Sequence, residues 1–218
     1  MRLVVTPFID ETYPTELVFL AIHLDDAGAI PWGGTRWSQY FPQPDYIPQV
    51  VVGCDPDTYI DFPGVPPTPW ITRVDAQLAV PTDITMTLRT AKVSGNDWRF
   101  TAQVCMEPTG TARTVRVFVG YTIDDYPINS TYRYRATVRN VGAYEDVALA
   151  PGECVDVERS FTFTQIDLDR WSTIVGVAWA QTPNAGFGEA YQATKNPFLR
   201  LADGFESGDL SGWSATVP

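Results

Sequence analysis

From residue 82 the chain alternates. Ile84, Met86 and Leu88 fall on one side of the backbone, with Thr85 and Thr87 on the other. Trp98, Phe100, Ala102, Val104 and Met106 repeat the pattern. So do Val115, Val117, Val119 and Tyr121, and later Val155, Val157, Phe161 and Phe163. Residues 174–179 read as a further strand. Successive side chains of a strand point to opposite faces, so a period of two with β-branched and aromatic enrichment marks half-buried strands. Turn residues separate the runs: Gly95 with Asn96, Pro108 with Gly110, Pro151 with Gly152, and Pro183 with Gly186. About seven short strands spaced by turns predict an antiparallel sandwich of immunoglobulin type over residues 81–195.

The first 80 residues read differently. Residues 16–23 form an unbroken apolar run, the signature of a strand covered on both faces. Residues 35–41 fit a short helix, 46–53 a strand opened by Pro48, and 59–62 another extended piece. Residues 70–78 have helical spacing. Strand, helix, strand, strand, helix amounts to half of an α/β unit. Three prolines, Pro66, Pro67 and Pro69, crowd the stretch before Pro81 and place a junction there. The expected fold class is therefore α+β and mostly β: an α/β unit over 1–80, the sandwich over 81–195, and an acidic Gly/Ser tail over 196–218.

Composition narrows what such a protein does. The 218 residues are 44% hydrophobic, which separates the chain from disordered polymers. Acidic residues outnumber basic ones 26 to 15, for a net charge of −11. With no basic surplus to displace counterions, non-specific nucleic-acid binding is not expected. No apolar run is long enough for a membrane-spanning helix. Residues 1–12 lack the basic, apolar and small-residue order of a signal peptide.

Candidate chemistry is sparse. His23 is the only histidine, so a Ser-His-Asp triad or a multi-histidine metal site would have to centre on it. Its place at the end of an apolar run beside Asp25 and Asp26 reads as a capped strand end. No catalytic residue and no metal ligand set is assigned. Acidic pairs at Asp25/Asp26, Asp55/Asp57, Asp124/Asp125 and Asp167/Asp169 lack the spacing of a calcium loop, and weak loop calcium binding is the only cofactor they admit. Arg133, Arg135 and Tyr134, with Arg139, put guanidinium groups on one expected strand face and are the candidate ligand contacts. The competing reading pairs these arginines with Asp156 and Glu158 on a solvated face. Trp98 and Trp179 are expected in the core.

Residues 13–23 (YPTELVFLAIH), 30–34 (IPWGG) and Ile47 with Pro48, followed by 134–139 (YRATVR), 149–153 (LAPGE) and 159–163 (RSFTF), occur in an order of moderate specificity. The layout resembles a bacterial family related to a 28-kilodalton outer membrane protein, whose members join a thioredoxin-like domain to an immunoglobulin-like one. The resemblance covers about residues 8–195, judged by motif order and strand pattern. It implies that residues 1–80 are the second half of a thioredoxin fold, with Pro48 the candidate cis proline. A thiol–disulfide enzyme of that fold needs a Cys-X-X-Cys at the start of its first helix, where the helix dipole lowers the thiol pKa. The sequence holds no such pair. A half-fold also leaves a sheet edge uncovered, which invites pairing with another copy.

The three cysteines complete the reading. Cys105 and Cys154 have outward parity on their strands, opposite to Val104 and Val155. In an immunoglobulin-like topology those strands are antiparallel neighbours, so a Cys105–Cys154 disulfide is expected, and with it an oxidising compartment. Cys54 is followed by Asp55 and Asp57, which raise a thiol pKa, so it reads as structural. Residues 203–213, including Phe205, Glu206 and Trp213, resemble a short tail found at the ends of many secreted bacterial proteins. The expected function is that of a non-catalytic, secreted or cell-envelope accessory protein with a degenerate thioredoxin-like domain and an unidentified protein or envelope partner. The alternatives are a fragment of a thiol–disulfide oxidoreductase whose Cys-X-X-Cys lies upstream, and a carbohydrate-binding sandwich.

Overall fold

Strand formation follows the alternation wherever one face meets the core. The computed structural model describes residues 13, 18–22, 29–40, 49–61, 68–124, 126–127, 133–183 and 189–197. His23, Pro48 and the tail beyond Pro197 lie outside the described residues. In chain order the elements are α1 (Pro31–Tyr40), β1 (Gln49–Val52), β2 (Asp55–Asp61), α2 (Thr68–Leu78), β3 (Ile84–Ser94), β4 (Asp97–Met106) and β5 (Arg113–Ile123). There follow β6 (Tyr126–Pro127), β7 (Arg133–Tyr134), β8 (Thr137–Val141), β9 (Glu145–Leu149), β10 (Cys154–Thr162), α3 (Gln165–Leu168), β11 (Ile174–Gln181) and β12 (Ala190–Pro197). The chain is mostly β, its sheets are antiparallel, and its helices are few.

A three-stranded sheet in the order β10-β4-β3 and a larger sheet in the order β12-β11-β5-β8, with β9 also paired to β5, share one apolar core. Ile84, Phe100, Val104, Val117, Tyr121, Phe161 and Phe163 are buried there. Phe100 meets Phe161 edge-on at 5.1 Å, and Trp98 stacks on Phe163 at 5.9 Å. Each such side chain contributes about 1.5–3 kcal/mol of transfer free energy. At Gly176 a Cβ would stand 3.0 Å from Leu88 and Phe100, so the glycine lets β11 approach the opposite sheet.

Trp179 is buried as expected, at 3% exposure, in a second cluster on the other face of the sheet. On β11, Ile174, Ala178 and Ala180 face inward. Parity therefore sends Val177 and Trp179 to the other side, where they join a second cluster with Phe118, Val138 and Val141. This outer face is covered by the N-terminal residues Val18, Leu20, Ile22, Ile30 and Trp32. The expected strand over 16–23 is reduced, within the described residues 18–22, to a one-residue parallel bridge from Ala21 to Thr137. Ala21 N–H donates to the Ala136 carbonyl at 2.9 Å, and Val138 N–H donates to the Ala21 carbonyl at 3.0 Å. Residues 18–22 thus lie along the β8 edge and turn Val18, Leu20 and Ile22 onto the sheet.

The rest of the N-terminal part is tied on by its hairpin. β1 and β2 pair across Gly53 and Cys54, both with left-handed φ values of 63° and 60°. Two left-handed central residues make the turn that suits the natural twist of a hairpin. Ala190 N–H of β12 donates to the Gly53 carbonyl at 2.8 Å. Tyr13 donates its hydroxyl to Asp75 of α2. That bond raises the phenol pKa to about 12.

Candidate functional site: the aromatic junction and the sheet faces

The outer face of the larger sheet carries a connected row of rings and charges. Phe118 of β5 stacks on Trp179 of β11, with centroids 4.7 Å apart and planes within 10°. Trp32, in the first turn of α1, meets Trp179 edge-on at 6.0 Å. One turn later Arg36, only 3% exposed, lies over Phe118 at 5.3 Å and donates to Gln181 Oε1 at 2.7 Å. Positions i and i+4 share a helix face, so Trp32 and Arg36 fasten α1 to the sheet together. Gln181 Oε1 also accepts from Trp179 Nε1 at 3.1 Å. The row continues outward. Tyr144 packs on Phe118 at 5.8 Å, Arg116 lies 3.7 Å over the Tyr144 ring, and Asp146 grips Arg116 at 2.7 and 2.8 Å. The hydrogen bond from Arg116 holds the Asp146 carboxyl below its ordinary value, and the same bond raises the Arg116 pKa further. This arrangement joins the N-terminal elements to the sheets through aromatic stacking and cation–π contact.

A second polar centre lies at the end of the core. Asp167 of α3 is fully buried. It accepts from Thr164 N–H at 2.9 Å, Thr164 Oγ1 at 2.6 Å, Tyr121 hydroxyl at 3.2 Å and Arg139 Nε at 3.1 Å. Arg139 in turn lies 4.6 Å from the Tyr126 ring centre. Burial first, and the Asp167 charge second, push the Tyr121 phenol pKa well up, so it stays a hydrogen-bond donor at all ordinary pH. The carboxylate accepts four hydrogen bonds from this chain, three on Oδ2 and one on Oδ1, which makes Asp167 a structural anchor.

The arginines expected on one strand face are separated. β7 ends at Tyr134, and Ala136 takes a left-handed φ of 48°, which breaks the run before β8 begins. Arg133 and Tyr134 lie on β7, opposite Pro127 and Tyr126. Arg135 pairs with Asp124 at 3.0 Å, and Asp124 also accepts from Ala136 N–H at 2.7 Å. Arg139 goes to Asp167. The expected partners are engaged elsewhere: Asp156 with Arg89 at 3.1 Å and Glu158 with Arg99 at 3.8 Å. The expected salt bridges from Arg135 and Arg139 to Asp156 and Glu158 are therefore replaced by pairs with Asp124 and Asp167, and β8, which carries Arg139, lies in a different sheet from β10.

Cys105 and Cys154 are joined by a disulfide on the outward face of the three-stranded sheet, as direct cross-strand partners. Cys54 sits half-buried in the hairpin turn. Between the end of α2, the start of β5 and the start of β12 lies a hollow of about 180 Å³ lined in part by Gln77, Thr82, Arg113, Glu189 and Tyr191. Among the described residues, no group of three or more His, Cys, Asp or Glu side chains could hold a metal ion. No described helix is long and apolar enough to cross a membrane.

Two antiparallel sheets around a shared core, with few helices, make the described chain mostly β. No family model matches the sequence, and no curated protein resembles it in sequence at a significant level. Among solved structures the fold is similar to HBP35 of Porphyromonas gingivalis, with a TM-score of 0.59 and 12% identity over 81% of this chain. The chain spans 62% of that structure, less than two thirds of its length. A domain of the outer membrane lipoprotein Omp28 from Porphyromonas gingivalis aligns at a TM-score of 0.38 and 12% identity, over 55% of this chain and 91% of that one. A β-glucosidase from Kluyveromyces marxianus aligns at a TM-score of 0.31 and 15% identity, over 54% of this chain and 14% of that one. The last two scores are too low to carry an argument.

Proposed function

We propose that the protein is a non-catalytic accessory protein of a bacterial cell envelope, with a degenerate thioredoxin-like unit packed on an immunoglobulin-like sandwich. The observation that carries this reading is the junction at Trp32, Arg36, Phe118 and Trp179. Where a thioredoxin-like enzyme needs an accessible dithiol, this chain has an aromatic face that seals its N-terminal elements against the sheets. The fold likeness to HBP35 of Porphyromonas gingivalis over 81% of the chain supports the bacterial part of this reading. The exposed Tyr144, with Arg116 and Asp146 beside it, is the outermost part of that row and the side presented to a partner. The working role is that of a rigid two-part spacer or docking module. Fractionation of source cells with an antibody against the purified chain tests the location. Recovery in the envelope fraction or the medium is expected, and recovery in the cytosol alone overturns the reading. Retention on a polysaccharide column, lost on mutation of Tyr144, would favour the carbohydrate-binding alternative instead.

A further inference from the structure

The Cys105–Cys154 disulfide lies where a cross-link is least needed and most reachable. Cys154 is exposed and Cys105 is half-buried, on a face that also carries Thr85 beside Cys105, then Thr101, Gln103, Asp156 and Glu158. Their Cα atoms are 4.0 Å apart at one end of a ladder that continues, position by position, to Thr162 opposite Asp97. Backbone pairing runs past the bond as well: Met106 N–H donates to the Glu153 carbonyl at 2.9 Å, and Gly152 N–H to the Met106 carbonyl at 3.1 Å. On the opposite side of the same strands Val104, Met106 and Val157 are buried in the core. The β4–β10 register therefore stands on hydrogen bonds and core packing, with the sulfurs outside both.

We propose that this disulfide is a thiol-exchange site, which a dithiol reduces while the sheets remain folded. The donor class is a protein or small-molecule dithiol of the oxidising compartment. A donor thiolate attacks the exposed Cys154 Sγ, and a bond forms between the two sulfurs as the Cys105–Cys154 bond breaks. Cys105 leaves with the electron pair and takes a proton from water. The donor's second thiolate then attacks the donor sulfur of the mixed disulfide, closes the donor's own disulfide, and releases Cys154 as a thiolate that is protonated in turn. Two electrons pass from the donor to the cysteine pair. The β4–β10 ladder keeps the two thiols opposite one another, so an oxidant recloses the same bond.

Dithiothreitol in native buffer is the probe. Maleimide trapping followed by peptide mapping separates Cys105 and Cys154 from Cys54, while near-ultraviolet circular dichroism follows the packing of the aromatic core. The expected result is labelling of both cysteines at a rate within about tenfold of that in urea, as for an accessible disulfide. The near-ultraviolet spectrum stays unchanged, and the bond re-forms once the reductant is removed. The double variant Cys105→Ser/Cys154→Ser is expected to keep the same spectrum. A bond that resists reduction until denaturant is added overturns the proposal. So does a spectrum that collapses as the bond opens, or a double variant that fails to fold.

Discussion

Asp167→Asn is the most informative single change. The carboxylate is fully buried and takes four hydrogen bonds, one of them from Arg139, whose side chain is only 13% exposed. The amide keeps the volume but turns one acceptor oxygen into a donor that faces other donors, and it leaves the arginine without its counter-charge. Breaking a buried ion pair by removing one partner costs about 3–5 kcal/mol. For a domain of this size a urea slope of about 1.5 kcal/mol per molar lies within the usual range, so the midpoint should fall by about 2–3 M. Urea unfolding followed by the fluorescence of Trp98 and Trp179, both buried, reads this shift. Arg139→Met should cost a comparable amount. The double variant should lose much less than the sum, because the second change removes the charge that the first left stranded. A loss below about 1 kcal/mol for Asp167→Asn, or two losses that simply add, would show that Asp167 does not anchor α3 to the core.

Other expectations bear on the junction and the turns. Trp179→Ala should cost about 3–5 kcal/mol and expose the N-terminal elements to limited proteolysis before the sheets are cut. Gly120→Ala should cost about 1–3 kcal/mol in thermal unfolding, because its Cβ would meet the Asn140 carbonyl oxygen at 2.5 Å, where β8 pairs with β5. Asp146 has a depressed pKa when folded, so its contribution is present above the unfolded carboxylate value and is lost as pH falls through the folded one. With a side chain 38% exposed, that contribution is below about 1 kcal/mol, and Asp146→Asn should flatten the acid limb of the stability curve by no more than this. Tyr13 runs the other way: its phenol titrates at about 12, so its bond to Asp75 is intact below the unfolded tyrosine value and is lost as pH rises through the folded one. A difference titration at 295 nm against Tyr13→Phe reads that late ionisation.

The sandwich was legible in the sequence because its three-stranded sheet has one wet face. β4 and β10 alternate cleanly, and the outward parity of Cys105 and Cys154 follows from the same count. β5 was harder. Its inner face, Val115 through Ile123, could be read, but Phe118 on its outer face could not, because the residues that cover it come from α1 and from residues 18–22. Trp179 was rightly read as buried, but the cluster it joins was not legible. Nothing within ten residues of that tryptophan says which of two apolar faces it joins. β12 was missed because its sequence, with Thr194, Lys195 and Asn196, has no apolar alternation, and its residues are only partly buried. The pairing of Arg139 with Asp167 also escaped, since an ion pair between a strand and a short helix leaves no local spacing to read. The left-handed Ala136 gave no warning either, as alanine is not a residue that announces a break in a strand.

The contact between Arg36 and Gln181 joins residues 145 positions apart. A ribosome delivers the N-terminal apolar run and α1 long before it delivers β8 or β11, their seats in the finished protein. Until then the run has nothing of its own chain to lie against. Closing so large a loop before any contact rewards it makes the last stage of folding slow. The aromatic junction is therefore among the last contacts to close, because Trp32 and Arg36 must wait for Trp179 and Gln181 before either half of it exists.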